Sequence, residues 1–177
     1  MTLDNKTREE KIDSRCDTLV KILQAVRPIY LTSSPYDQGL IETMIGATIW
    51  YIPKPANFWS GKISLAAIKS LYPDPNKNSK LSEEHIFPRK AAARKLLQDI
   101  HLDFPIFRSL YREQYGKIHY VTPSENKMLV RFQKADNFDV KKDVYEQAGI
   151  QLISISSEQL TLIKKGNKIE IEKILKM

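Results

Sequence analysis

The chain has 177 residues, 42% of them apolar, which is enough for one ordinary domain with a packed core and excludes a disordered chain. Its net charge of +7 favours an anionic partner, nucleic acid first and a membrane surface second. The single cysteine, Cys16, excludes an internal disulfide and a thiolate zinc site; with no apolar leader and no membrane-length run, a soluble, intracellular, cytoplasmic protein is expected.

From about Thr7 to Val26, the residues Ile12, Cys16, Leu19, Val20, Leu23 and Val26 recur at helical spacing. They form one face of an amphipathic helix that Pro28 is expected to end. Ser33-Ser34-Pro35 opens a second helix whose apolar stripe is Leu40, Ile41, Met44, Ile45 and Ile49, closing near Trp50 to Pro53. Residues 53–61 read as an ordered loop with an aromatic anchor. Trp50 and Trp59 could stack on bases, but their apolar flanks favour buried packing. Ile63 to Leu71 reads as a short helix stopped by Pro73-Asp74-Pro75, and Asn76-Lys77-Asn78-Ser79-Lys80 as a polar loop.

The stretch Ser82-Glu83-Glu84-His85-Ile86-Phe87-Pro88-Arg89-Lys90 follows, its beginning read as a short extended segment. Two carboxylates run into a histidine, and two cations come shortly after. A histidine beside a carboxylate can act as a general base while the carboxylate holds a divalent cation. The neighbouring cations suit a polyanionic substrate. An acidic pair ahead of a helix also has a plain structural use in compensating the helix dipole. Ala91 to Leu97 is a strong helix former, and Asp103 with Pro105 marks another helix start, with Phe104, Phe107, Leu110 and Tyr111 on its apolar side.

Lys117 to Val121 has the β-branched and aromatic character of a strand. Thr122-Pro123-Ser124-Glu125 is a capping box that starts a helix through Asn126, Met128, Leu129, Val130 and Phe132 to about Lys134. A helix over about Val140 to Gln147 stops at Gly149. A strand over Gln151 to Ile155 and a β-hairpin turning at Gly166-Asn167 complete the chain, with Leu160, Leu162, Ile169 and Ile171 on one face.

A strand ending in Glu84-His85, a helical insert, a strand at Ile118 to Val121 and a capped helix carrying Asn126 form an ordered set. On Glu84-His85-Ile86-Phe87-Pro88 and Glu125-Asn126-Lys127-Met128-Leu129 the sequence resembles the HNH branch of the His-Me finger nucleases. It is most similar to members whose first motif is Glu-His-x-x-Pro without zinc cysteines, as in the nuclease domains of some modification-dependent restriction enzymes. The resemblance covers roughly residues 80–137. It departs from the family in the wide gap between His85 and Asn126 and in the third motif position, for which Lys134 and Asn137 are both candidates.

The resemblance implies an α/β (α+β), mostly helical chain: a single domain over 1–177, with a helical N-terminal part at 1–75, a ββα-metal core at 80–137, and a helix plus β-hairpin appendage at 138–177. It implies metal-dependent endonuclease activity on DNA, restriction-like or phage-encoded, most simply on double-stranded DNA. His85 would be the base and Glu84 and Asn126 the metal ligands. The chemistry supports these types independently. Neutral imidazole takes a proton from water near neutral pH, and Mg²⁺ (or Mn²⁺) accepts a sparse oxygen shell such as Glu84 and Asn126 offer. Arg89, Lys90, Arg94, Lys95 and Lys134 are candidate phosphate contacts; a solvated helix face explains the first four equally well one by one. Capping alone explains Glu125, and His101 and His119 lack a carboxylate pattern to pair with. Cutting both strands with one site per chain would favour a homodimer. The rival expectation is a non-catalytic nucleic-acid-binding or adaptor protein using the same basic surface.

Overall fold

A computed structural model describes residues 7–72, 81–133, 138 and 143–176. The chain is α+β, mostly helical, with one small mixed sheet. It divides into two compact units that interleave along the sequence. One comprises residues 1–58, 85–117 and 134–136, the other residues 59–84, 118–133 and 137–177. Among the described residues no helix is long and apolar enough to cross a membrane.

The first unit is helical. Helix α1 (Arg8–Thr32) starts at a capping box in which the Thr7 hydroxyl accepts from the Glu10 N–H and the Glu10 carboxylate from the Thr7 N–H. It buries Ile12, Cys16, Leu19, Val20 and Leu23 of the expected face, while Val26 is only half-buried. It does not end at Pro28. The helix continues for another turn because that turn is tied into the unit: Arg27 donates to the Leu96 and Leu97 carbonyls, and buried Tyr30 donates to Glu42. Those tertiary bonds outweigh the lost backbone bond that normally makes proline a helix breaker.

Helix α2 (Pro35–Trp50) is capped by Ser34, with proline in its first turn. Helix α4 (Arg89–Gln98) lies against it. The approach is close because Ala91, Ala92 and Ala93 are buried in α4 and Gly46 sits in α2, where a Cβ would come within 3.1 Å of the Arg89 carbonyl oxygen. Helix α5 (Phe104–Leu110), capped by Asp103 as expected, runs into a π-helical turn at Tyr111–Tyr115.

The second unit holds the sheet. Its strands are β1 (Trp59–Ser64), β2 (Ser82–His85), β3 (Ile118–Val121) and β4 (Leu152–Ser154), in the order β2-β3-β1-β4. The last residue of β2, His85, is grouped with the first unit. Strands β1 and β3 run parallel, while β1 and β4 run antiparallel. Just past β2, the Ile86 N–H donates to the carbonyl of Lys117, just ahead of β3, so these neighbouring strands run in opposite directions. Strand β1 corrects the expected loop over 53–61 and helix from Ile63. Its first half is only half-buried, so no alternation marks it, and its register against β3 shifts between Trp59 and Ile63. Gly61, at φ 84°, occupies that irregular stretch, where an L side chain would be strained. Helix α3 (Leu65–Ser70) begins only after the strand, capped by Ser64.

Helix α6 (Pro123–Leu129) has the expected capping box at Thr122 and Glu125, but ends at Leu129, short of the expected Lys134. Helix α7 (Val144–Gln147) is capped by Asp143. Lys134 and Asn137, the loop 76–80 and the start of the helix expected from Val140 lie outside the described residues.

The expected C-terminal β-hairpin is instead a helical pair, α8 (Ser157–Lys164) and α9 (Lys168–Leu175). Ser156 and Gln159 form a capping box, Asn167 caps α9 through the Glu170 N–H, and Gly166 at φ 75° closes α8. The buried residues are Leu160, Ile163, Ile171 and Ile174, at helical spacing. Ile169, which a strand would have placed beside Ile171, is 81% exposed.

Candidate functional site

His85 is held by Trp50 and Tyr115 within the first unit. Its ring centroid lies 4.4 Å from that of Trp50, the last residue of α2. The Arg89 guanidinium, at the start of α4, lies 4.4 Å over the same indole. His85 Nδ1 is 3.3 Å from the Tyr115 carbonyl oxygen. A carbonyl only accepts, so Nδ1 carries the proton of the neutral ring and Nε2 carries the lone pair. Tyr115 is fixed in turn by an edge-on contact with Phe87 at 5.0 Å.

The cations around this histidine have different fates. Arg89 and Lys90 are exposed in the first turn of α4, which has no side-chain cap. Positive charge there opposes the helix dipole, which favours anions at an N-terminus. Lys95 is exposed and lies over the Phe87 ring at 5.0 Å. Arg94 is half-buried and clamps Glu42 through Nε at 2.6 Å and Nη2 at 3.1 Å, with Lys90 Nζ 3.8 Å from the same carboxylate.

Glu84 and Asn126 belong to the second unit. Glu84 is 6% exposed, and its Oε1 accepts from Gln133 Nε2. Asn126, one turn into α6, donates through Nδ2 to the Ser82 hydroxyl at 2.5 Å. Ser82 and Glu84 leave β2 on the same face by the two-residue strand period, so Asn126 is bound to the side of the strand that carries Glu84. With its amide NH₂ engaged, the Asn126 carbonyl oxygen is the atom available as a donor. Among the described residues no three His, Cys, Asp or Glu side chains group as a metal shell. Glu84 and Asn126 each carry an oxygen of the type that a magnesium-type ion takes. Glu125 caps α6 and also accepts from the Ser64 hydroxyl at 2.6 Å.

No family model, curated protein or solved structure matches this chain.

Three features escaped the sequence reading. Trp50, expected to be buried, is 44% exposed, because α2 ends there and its indole lies against His85 and Arg89 at the surface. Glu42, on the second helix, is the buried anchor of Arg94. His119 is buried in β3, with Nδ1 hydrogen-bonded to the Ser60 hydroxyl and its ring edge-on to Tyr145 at 5.0 Å. The paired residues are far apart in sequence and no local motif links them. The Tyr145 hydroxyl is itself buried, with no hydrogen-bond partner among the described residues. Burial pushes its pKa up, with the nearby Glu84 and Asp143 charges adding to the shift.

Burial, followed by the Lys62 charge, lowers the pKa of His119 to about 4. The unfolded chain would bind this proton near 6.5, so between those values unfolding takes up a proton and stability rises with pH. Acidification from pH 7 to 4 should therefore cost up to about 3 kcal/mol from this residue alone. Urea unfolding at several pH values measures it. His119→Gln should flatten the dependence in that window, and an unchanged slope in the variant would exclude His119 as its source.

Proposed function

We propose that the chain is a metal-dependent HNH-type endonuclease that hydrolyses phosphodiester bonds in DNA, with β2, β3 and α6 as its ββα-metal core. The observation that carries this reading is the setting of His85. The Tyr115 carbonyl, 3.3 Å from Nδ1, fits the tautomer whose Nε2 carries the lone pair, and the exposed cations Arg89 and Lys90 open α4 four residues on. Nε2 is itself buried, so the attacking water reaches it only when the side chains over it move. The adjacency of β2 and β3, and the Asn126 bond back to Ser82, support the ββα part.

In this mechanism His85 Nε2 takes the proton from the attacking water as the new phosphorus–oxygen bond forms; the bond to the leaving 3′ oxygen breaks, and that oxygen takes a proton from solvent. Glu84 and the Asn126 carbonyl oxygen would hold a Mg²⁺ or Mn²⁺ ion, which when bound supplies charge neutralisation at the phosphate. Arg89, Lys90 and Lys95 draw the DNA backbone to the site, with Arg94 adding charge from its position on Glu42.

Incubating supercoiled plasmid with the protein and Mg²⁺ or Mn²⁺ should give nicked or linear product, and EDTA should stop it. EDTA should leave the melting temperature unchanged, because one cysteine cannot build a thiolate zinc site on which folding depends. A gel shift without cleavage at any divalent ion would instead favour a non-catalytic nucleic-acid-binding protein.

A further inference from the structure

We infer that the outer face of α2 is a stacking platform for unpaired bases, so that the chain engages single-stranded nucleic acid beside His85. The inference takes from the proposed function only that the partner is a nucleic acid. Tyr36, Leu40 and Met44 recur every four residues along α2 and are 87%, 58% and 61% exposed. Tyr51 (71% exposed) continues that face past the helix end, and Trp50, the last residue of α2, flanks it on the side of Arg89. An apolar stripe at helical spacing normally faces a core; here it faces solvent.

The occupant follows from the neighbouring charge. Arg89 lies over the Trp50 indole, and Lys90 Nζ would come within 3.5 Å of a Cβ at Gly39, halfway along the stripe. Cations from α4 thus border an exposed apolar row on α2 that has aromatic rings at its ends, Tyr36 at one and Trp50 and Tyr51 at the other. An apolar protein partner would leave them facing a greasy surface. A single strand satisfies both, with bases on the rings and phosphates on Arg89 and Lys90. From Tyr36 to Trp50 the helix rises about 21 Å, room for a few extended nucleotides. Bases within a duplex are already stacked and cannot lie on the rings.

Fluorescence anisotropy of a labelled oligothymidine in EDTA tests this without turnover, with an oligouridine and a duplex of equal length beside it. Tight binding to either single strand is expected, weaker binding to the duplex, and quenching of tryptophan emission. Trp50→Ala should weaken single-strand binding on the order of tenfold, while Trp50→Phe keeps most of it. Arg89→Gln should lower the affinity and the salt slope together. Equal affinity of Trp50→Ala and the parent would overturn the inference. So would a duplex preference, or a concentration-dependent dimer that Trp50→Ala dissolves while oligonucleotide binding is unaffected. Failure to nick plasmid with single-strand binding intact strikes the nuclease reading and leaves the platform standing.

Discussion

Replacing His85 with alanine is expected to lower DNA cleavage by roughly 10²–10⁴-fold, the usual contribution of a positioned general base. Affinity for duplex DNA, measured in EDTA, should stay within a fewfold of the parent, because phosphate contacts rather than the base hold the substrate. Alanine also removes the ring that packs on Trp50 and the bond to Tyr115, so lost activity could come from lost packing. His85→Gln separates the two effects. Its amide can still donate to the Tyr115 carbonyl, yet it has no lone pair basic enough to accept a proton from water. Both variants should be inactive, with His85→Gln melting close to the parent. Cleavage by His85→Gln at the parental rate would remove His85 from the mechanism.

The second large effect is on stability. Glu42 is 1% exposed and accepts from Arg94 through both oxygens and from the Tyr30 hydroxyl at 2.9 Å. Burial and this bond push Tyr30 up to about 12. Glu42→Ala deletes the acceptor and strands a guanidinium and a phenol between α1, α2 and α4, at a cost of about 3–5 kcal/mol. Replacing Glu42 and Arg94 together by apolar residues of similar volume should recover much of that loss, since neither charge is then left alone. Urea midpoints of the single and double variants give the answer. A double variant no better than Glu42→Ala would show that the pair does not act as a unit.

This pair also bears on the reading of the basic cluster. Arg89, Lys90, Arg94 and Lys95 look equivalent in sequence. Helical geometry separates them: Arg94 turns to buried Glu42, while the other three stay exposed. Charge-reversal scanning of the four should thus give a stability defect at Arg94 and binding defects at the others.

What the sequence determined by itself is chemistry that closes within about four residues. The capping box at Thr122 and Glu125, the Asp103 cap, the Ser34-Pro35 start and the buried stripe of α1 are all as read. In each, the side chain that satisfies the first backbone N–H groups is a near neighbour. Only the tertiary structure decided the rest, because there the winning interaction lies far along the chain. Bonds to the Leu96 and Leu97 carbonyls carry α1 through Pro28. Pairing with β3 and β4 makes a strand of Trp59–Ser64, whose own pattern does not alternate. Residues 157–175 carry isoleucines and leucines that fit either period, and packing of α8 and α9 on Leu160, Ile163, Ile171 and Ile174 selects the helical one. The bonds of Asn126 to Ser82 and of His85 to Tyr115 are of the same kind. The residue types were legible, but their partners were chosen by which elements lie side by side.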